Sequence, residues 1–314
     1  MVRLIASLGE YIYAQGDDGI YVNLFAGSTA RLSGLTIRQQ TRYPWDGAVR
    51  IAVDPVEPHR FSVFVRIPGW TNRQVMAGDL YRFQDAIGGR VAIRVNGRTV
   101  NPPLVRGYAR IEREWKAGDL IELTLPMETR RVVADSRVKE DEGRVALERG
   151  PLVYCAEWAD NGGHALNIIV PDNARLRSEF RPNLLRGVEV ITGNVQAVKG
   201  GRTLPHEMVA IPYFAWANRG MGEMQVWLPR SVEKARLVPA PLPGALARVL
   251  SSGGIEKKWT GYNDQNDDLS AVYDGADPLN SADESNLYFP YASRCRAPGV
   301  GGVRFQAAAA NLVV

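Results

Sequence analysis

Cysteine and histidine are the scarcest chemistry-bearing residues of this 314-residue chain, which has two of the first and three of the second. Cys155 and Cys295 stand far apart, which excludes a disulfide framework. It also excludes a cysteine-rich zinc site, because structural zinc takes about four ligands at short spacings. His59, His164 and His206 are isolated, and His206-Glu207 has no second histidine to complete a zinc motif. They read as loop or surface residues, so no metal and no cofactor is expected on this chain. Long apolar runs are missing too. No window approaches the ~18 apolar residues of a membrane span, and no membrane partner is expected. No charged segment followed by an apolar one opens the chain, which leaves its location open. The 38 Lys+Arg are spread along the sequence, with a net charge of +4. A nucleic-acid partner calls for a concentrated basic patch interleaved with aromatics, so none is expected. Gly-x-Ser-x-Gly, phosphate-loop and dinucleotide fingerprints are absent.

What is present is mainly β. The chain opens on one helix, about Val2 to Tyr13, with Leu4, Ile5, Leu8, Tyr11 and Ile12 on a single apolar stripe. Gln15-Gly16-Asp17-Asp18-Gly19 ends it. Short β-rich runs follow: Ile20–Phe25, Leu35–Tyr43, Ala48–Val53, Phe61–Ile67, Val91–Val95, Tyr108–Arg113 and Leu120–Leu125. Phe61, Val63, Val65 and Ile67 share one strand face, and Asn96-Gly97 is a tight hairpin signal. Thr71–Gly89 reads as an insertion with little strand character. A second series runs through Arg130–Ala134, Arg144–Arg149, Leu152–Ala156, Val188–Thr192, Met208–Pro212 and Met224–Leu228. The fold class expected is consecutive antiparallel β-sandwich or jelly-roll domains behind one residual helix. The divisions are 1–14 for the helix, 15–129 and 130–238 for two sandwiches, 239–249 for a Pro-rich linker, and 250–314 for an incomplete third β-module. From Pro290 to Val314 no acidic residue occurs and Ala307–Ala310 is a tetra-alanine, a composition expected of a shifted reading frame. A lone helix on a β-rich chain is expected to be the last helix of something larger, its stripe of Leu4, Ile5, Leu8 and Ile12 left open to association.

Candidate chemistry is sparse. Asp17-Asp18 and Asp267-Asp268 are acid pairs, but both lie in Gly- or Asn-rich turns that favour acids for backbone bonding. Asn263-Asp264-Gln265-Asn266-Asp267-Asp268 offers oxygen ligands yet lacks the glycine and closing glutamate of a calcium loop. Cys155 stands within the apolar run Leu152–Ala156, the setting of a buried, inert thiol. Most of the seven tryptophans sit at strand ends, which suits sandwich cores. Trp259, in the polar third segment, is the one candidate for glycan contact.

Several strings occur in a fixed order: Tyr21-Val22-Asn23-Leu24-Phe25, Tyr43-Pro44-Trp45, Arg66-Ile67-Pro68-Gly69-Trp70, Val95-Asn96-Gly97, Leu125-Pro126-Met127, Ala146 through Tyr154, and Ile211 through Gly220. Together they resemble the C-terminal half of the β-L-arabinofuranosidases of glycoside hydrolase families 127 and 146, over roughly residues 2–230. Asp79-Leu80-Tyr81-Arg82-Phe83 in the insertion looks more like family 146. The resemblance implies a catalytic (α/α)6 barrel ahead of the sandwiches, carrying a zinc-bound cysteine nucleophile and a glutamate acid/base. A retaining glycosidase needs both groups. No residue of this chain matches either position, so the chain is expected to be non-catalytic, with no catalytic or metal-binding residue carried over. The partners implied are the barrel, an arabinose-containing plant glycan reached through the parent enzyme, and a second copy of the chain in a homodimer. The alternative is a stand-alone carbohydrate-binding module.

Overall fold

The computed structural model describes residues 2–85, 88–220 and 222–235, with side chains from Ser7 onward. The linker, the third module, the tail, Trp259, the Asn263–Asp268 run and Cys295 all lie outside the described residues. By its contacts, Met1–Gln196 with Pro205–Lys234 forms one compact unit, and Ala197–Leu204 belongs to a second.

Helix α1 spans Val2–Ile12. The strands of the first half are β1 (Tyr13–Gly16), β2 (Gly19–Val22), β3 (Ser28–Leu32), β4 (Leu35–Thr41), β5 (Ala48–Pro55), β6 (His59–Arg66), β7 (Tyr81–Phe83), β8 (Ala92–Val95), β9 (Arg98–Val100), β10 (Leu104–Val105), β11 (Tyr108–Trp115) and β12 (Asp119–Thr124). Those of the second half are β13 (Thr129–Ala134), β14 (Arg144–Arg149), β15 (Leu152–Glu157), β16 (Ile168–Ile169), β17 (Leu176–Arg181), β18 (Val188–Lys199), β19 (Arg202–Pro212), β20 (Met224–Gln225) and β21 (Leu228–Pro229).

Two sheets make the first sandwich. One runs β1-β2-β6-β11-β10 and the other β3-β4-β5-β12-β8-β9. Alternation drives their packing: along β5, Val49, Ile51, Val53 and Pro55 point inward while Ala48 and Arg50 are exposed. Ile37, Ile51, Val65, Trp115 and Ile121 meet in the core between the sheets. Pairing is antiparallel throughout this sandwich except that β2 lies parallel to β6. Asn96 and Gly97 both take positive φ, 51° and 76°, and join β8 to β9. That is the conformation their type of two-residue hairpin requires.

The second half is one 10-stranded sheet system with the order β16-β18-β19-β15-β14-β13-β7, to which β17, β20 and β21 add. Leu147, Tyr154, Ile168, Ile191 and Met208 form its main core. The insertion is a departure from expectation. Tyr81–Phe83 is a strand, and it pairs with Val132–Ala134 on β13. It is only three residues long and its partner lies about fifty residues away, so no local periodicity announces it.

Helix α1 ends where Asn23 and Leu24 take its last carbonyls. The N–H groups of Asn23 and Leu24 both donate to Ile12 O, at 2.9 and 3.4 Å. Asn23 Nδ2 donates to Tyr11 O at 3.3 Å. This satisfies acceptors that a helix end otherwise leaves open. Leu8 and Tyr11 stand exposed on the helix, and the side chains of Leu4 and Ile5 lie outside the described ones.

Candidate functional site

Three strings far apart in sequence converge on one groove of about 760 Å³ in the first sandwich. Asn23, Leu24 and Phe25 leave β2, Tyr43 comes from the loop after β4, and Arg66 to Trp70 leads from β6 into a 3-10 turn at Gly69–Asn72. Tyr11 of α1, Tyr108 of β11 and Met76 complete the wall.

The polar atoms of the groove hold one another. Tyr108 Oη donates to Asn23 Oδ1 at 2.9 Å, fixing the amide whose nitrogen caps α1. The Arg66 guanidinium lies 5.4 Å from the centre of the Tyr108 ring. Tyr21, on the strand behind, stacks on Phe64 at 4.3 Å and meets Tyr108 edge-on at 5.2 Å. Burial pushes the Tyr43 hydroxyl up to about 12, so it stays protonated as a donor. Leu24, Tyr11 and Met76 remain 40%, 54% and 52% exposed, which leaves an apolar rim open to a partner. Among the described residues, no Asp, Glu, His or Cys lines the groove. Acid/base glycosidic cleavage uses a pair of carboxyl groups, and the described lining supplies none.

The motif tryptophans are pinned by arginines of the second half. Arg130 Nη1 donates to Trp70 O at 2.7 Å while its guanidinium covers the Phe83 ring at 3.1 Å. Arg149 Nη1 donates to Trp45 O at 3.0 Å, its Nε reaches Ser178 Oγ at 3.1 Å, and its Nη2 pairs with Glu189 at 3.5 Å. Sequence reading missed both arginines. Their only signal was a charged residue beside the apolar runs Val132–Ala134 and Val145–Leu147. Beside Arg130, Glu148 lines a cavity of about 10 Å³ with Trp70, Phe83 and Glu128. Burial raises the Glu148 carboxyl to about 7, against the opposing pull of Arg130.

The residues singled out from sequence are not brought together. Asp17 and Asp18 occupy the turn between β1 and β2, where Asp18 Oδ2 accepts from Tyr21 Oη at 2.6 Å. Cys155 is fully buried on β15, and desolvation pushes its thiol up to about 12. That opposes the thiolate a metal ligand or nucleophile needs. His59 stacks on Phe61 at 4.7 Å, His164 meets Glu223 Oε1 at 3.2 Å, and His206 meets Asn161 Oδ1 at 3.2 Å. Among the described residues no three of His, Cys, Asp and Glu converge as metal ligands. Trp115 is fully buried and donates from Nε1 to Phe61 O at 3.0 Å, while Trp227 stacks on Tyr81 at 5.5 Å. No helix here is long and apolar enough to cross a membrane, among the described residues.

Two family descriptions match consecutive stretches of the chain: the middle domain of family 127 β-L-arabinofuranosidases over residues 19–127, and the family 127 C-terminal domain over residues 129–229. The chain belongs to glycoside hydrolase family 127. This family 127 chain is 34% identical over 252 residues to a non-reducing end β-L-arabinofuranosidase of Bifidobacterium longum subsp. longum, covering 72% of itself and 36% of that relative. A solved structure of a GH127 β-arabinofuranosidase superposes with a TM-score of 0.72 at 39% identity, over 76% of this chain and 39% of that one. A GH127 β-L-arabinofuranosidase from Geobacillus stearothermophilus T6 gives 0.63 at 39% identity, over 72% and 36%. The chain thus spans little more than a third of the length of these relatives.

Proposed function

We propose that this chain is the non-catalytic C-terminal part of a hydrolase like the zinc-dependent, retaining β-L-arabinofuranosidases that act on plant glycans. Its role is to buttress a catalytic (α/α)6 barrel. The observation that carries this reading is the groove. Strings at 23–25, 43 and 66–70 converge on a concave, aromatic-walled surface with an exposed apolar rim and no acid among the described residues. The likeness of Asp79–Phe83 to family 146 belongs to the same reading.

In this reading the zinc, its cysteine nucleophile and the acid/base belong to the barrel. The residues present do not fit a zinc of their own, since the Cys155 thiol is buried and held protonated. No catalytic step is therefore assigned to this chain.

The test uses the full 314-residue chain, alone and mixed with the isolated barrel of a family 127 relative. The expected results are no hydrolysis of an aryl β-L-arabinofuranoside by the chain alone, and co-elution with the barrel. Leu24→Glu, at the exposed rim, should weaken that association about tenfold or more without moving Tm. Hydrolysis by the chain alone overturns the non-catalytic reading. Failure to associate, with retained binding to arabinose-containing glycans, favours a stand-alone carbohydrate-binding module, in which exposed aromatics such as Phe214, 61% exposed beside Trp45, hold the sugar.

A further inference from the structure

A second groove opens at the edge of the first sandwich, separate from the motif-lined one, with a volume of about 650 Å³. Its floor is aliphatic: Ile67, Ile93 and Ala109, all buried, come from the two facing sheets where they part. Its rim is polar and positive, with Asn72, Arg73, Arg90 and Asn101. Among the described residues, no acidic one lines it.

The charge is not incidental to one side chain. From residue 86 to residue 111 the chain carries five arginines, at 90, 94, 98, 106 and 110, and no Asp or Glu. The even spread of basic residues over the whole chain conceals this local bias. Other arginines of the first sandwich, Arg60 and Arg110, pair with Glu112. The guanidinium groups of Arg73 and Arg90 make no ion pair and no hydrogen bond among the described residues, although the Arg73 backbone N–H donates to Gly69 O.

Both arginines are carried on fixed backbone. Glu128 Oε1 accepts from Gly89 N at 2.6 Å and Oε2 from Gly88 N at 3.1 Å, which anchors the loop leading to Arg90. A side chain at Gly89 would come within 2.8 Å of Pro126 Cβ, so the glycine permits that close approach. Arg73 closes the 3-10 turn with φ 69°, a left-handed conformation that ordinarily selects glycine or asparagine. Buried Thr71 clamps the turn, its Oγ1 donating to Pro68 O at 2.7 Å. The backbone thus tolerates strain at a position where an arginine side chain projects onto the groove.

We propose that this groove binds a carboxylate-bearing sugar residue, a uronic acid within a glycan. The proposal rests on the reading of the chain as part of a glycan hydrolase. Guanidinium groups recognise carboxylates through paired, charge-assisted hydrogen bonds. The Asn72 and Asn101 amides offer donors and acceptors to ring hydroxyls. The aliphatic floor accepts the C–H face of a ring, and the volume suits one or two sugar units. Among the described residues no aromatic ring lines the groove, which disfavours a nucleic-acid strand that would stack its bases. The site makes this chain a reader of acidic backbone beside the arabinose side chain that a catalytic barrel would cut.

The test is calorimetric titration of the 314-residue chain with trigalacturonate. Fully methyl-esterified trigalacturonate serves as the uncharged control, and inorganic phosphate and a triglutamate peptide as anions without sugar rings. Trigalacturonate should bind, and esterification should weaken binding about tenfold or more. Arg90→Gln should cost a similar factor. Arg73→Gly is the decisive variant, because it removes the guanidinium while relieving the left-handed strain. It should weaken binding and leave Tm equal or higher, so misfolding cannot account for the loss. The proposal is overturned if trigalacturonate fails to bind, if esterification or both variants leave binding unchanged, or if phosphate or triglutamate binds as tightly. The barrel-association assay reads a different surface. A chain that docks to the barrel yet ignores trigalacturonate refutes the uronate groove alone, and one that does the reverse refutes the buttress alone.

Discussion

Replacing Glu148 with glutamine isolates one proton in the joint between the two halves of the fold. Glu148 sits on β14 opposite Arg130 of β13, beside Trp70, Phe83 and Glu128. Its carboxyl titrates near 7 in the folded chain against an ordinary value of 4.5, because burial penalises the charged form more than Arg130 favours it. A raised folded pKa means that the native state binds the proton more tightly than the unfolded chain does. The resulting stability is fully present below 4.5 and is lost as pH rises through 7. At about 1.4 kcal/mol per unit, the loss between pH 5 and pH 8 is on the order of 2.5 kcal/mol. Glu148→Gln mimics the protonated form at every pH. In urea denaturation at pH 5, 6, 7 and 8, the variant should exceed the wild type by roughly 0.8 kcal/mol at pH 5 and by roughly 3.4 kcal/mol at pH 8. Every other titrating group cancels in that difference. Parallel stability curves for the two proteins would refute the reasoning, because they would mean that Glu148 ionises alike in both states.

Arg219 joins Glu157, which is fully buried, to Asp160. Arg219→Ala should therefore cost about 3–5 kcal/mol in urea denaturation, since it strands a buried carboxylate. The Cys155 thiol should resist alkylation in the native chain at pH 8, and peptide mapping should show it labelled only after unfolding. Trp115→Phe should lower stability by about 2 kcal/mol, because it leaves a gap in the first core and orphans the carbonyl of Phe61. Gly47→Ala should fail to fold or lose several kcal/mol, since its Cβ would lie 2.0 Å from Leu125 O.

The strands that sequence displayed plainly were those with one wet face. Along β11 and β5 the alternation survives in the fold. It is obscured on β6, where Phe61, Val63, Val65 and Ile67 share one face but are not alone in being covered. Ser62 and Phe64 are buried too, because Tyr21 stacks on Phe64 and Arg110 reaches Ser62 Oγ at 3.1 Å. That cover comes from residues distant in sequence, so local periodicity carries no trace of it. The same limit hid the strand at Tyr81–Phe83. The grooves show the limit from the other side. The strings at 23–25, 43 and 66–70 were visible one by one, but nothing in their spacing says that they share a wall. Arg73 and Arg90 were invisible as a pair, because each alone reads as a solvated surface charge. What joins them is the parting of two sheets over Ile67 and Ile93, a property of register and twist rather than of composition. Among the described residues neither groove holds an acid, and where the two sheets part the guanidinium groups of Arg73 and Arg90 stand without an ionic partner over an apolar floor, the arrangement on which the uronate proposal rests.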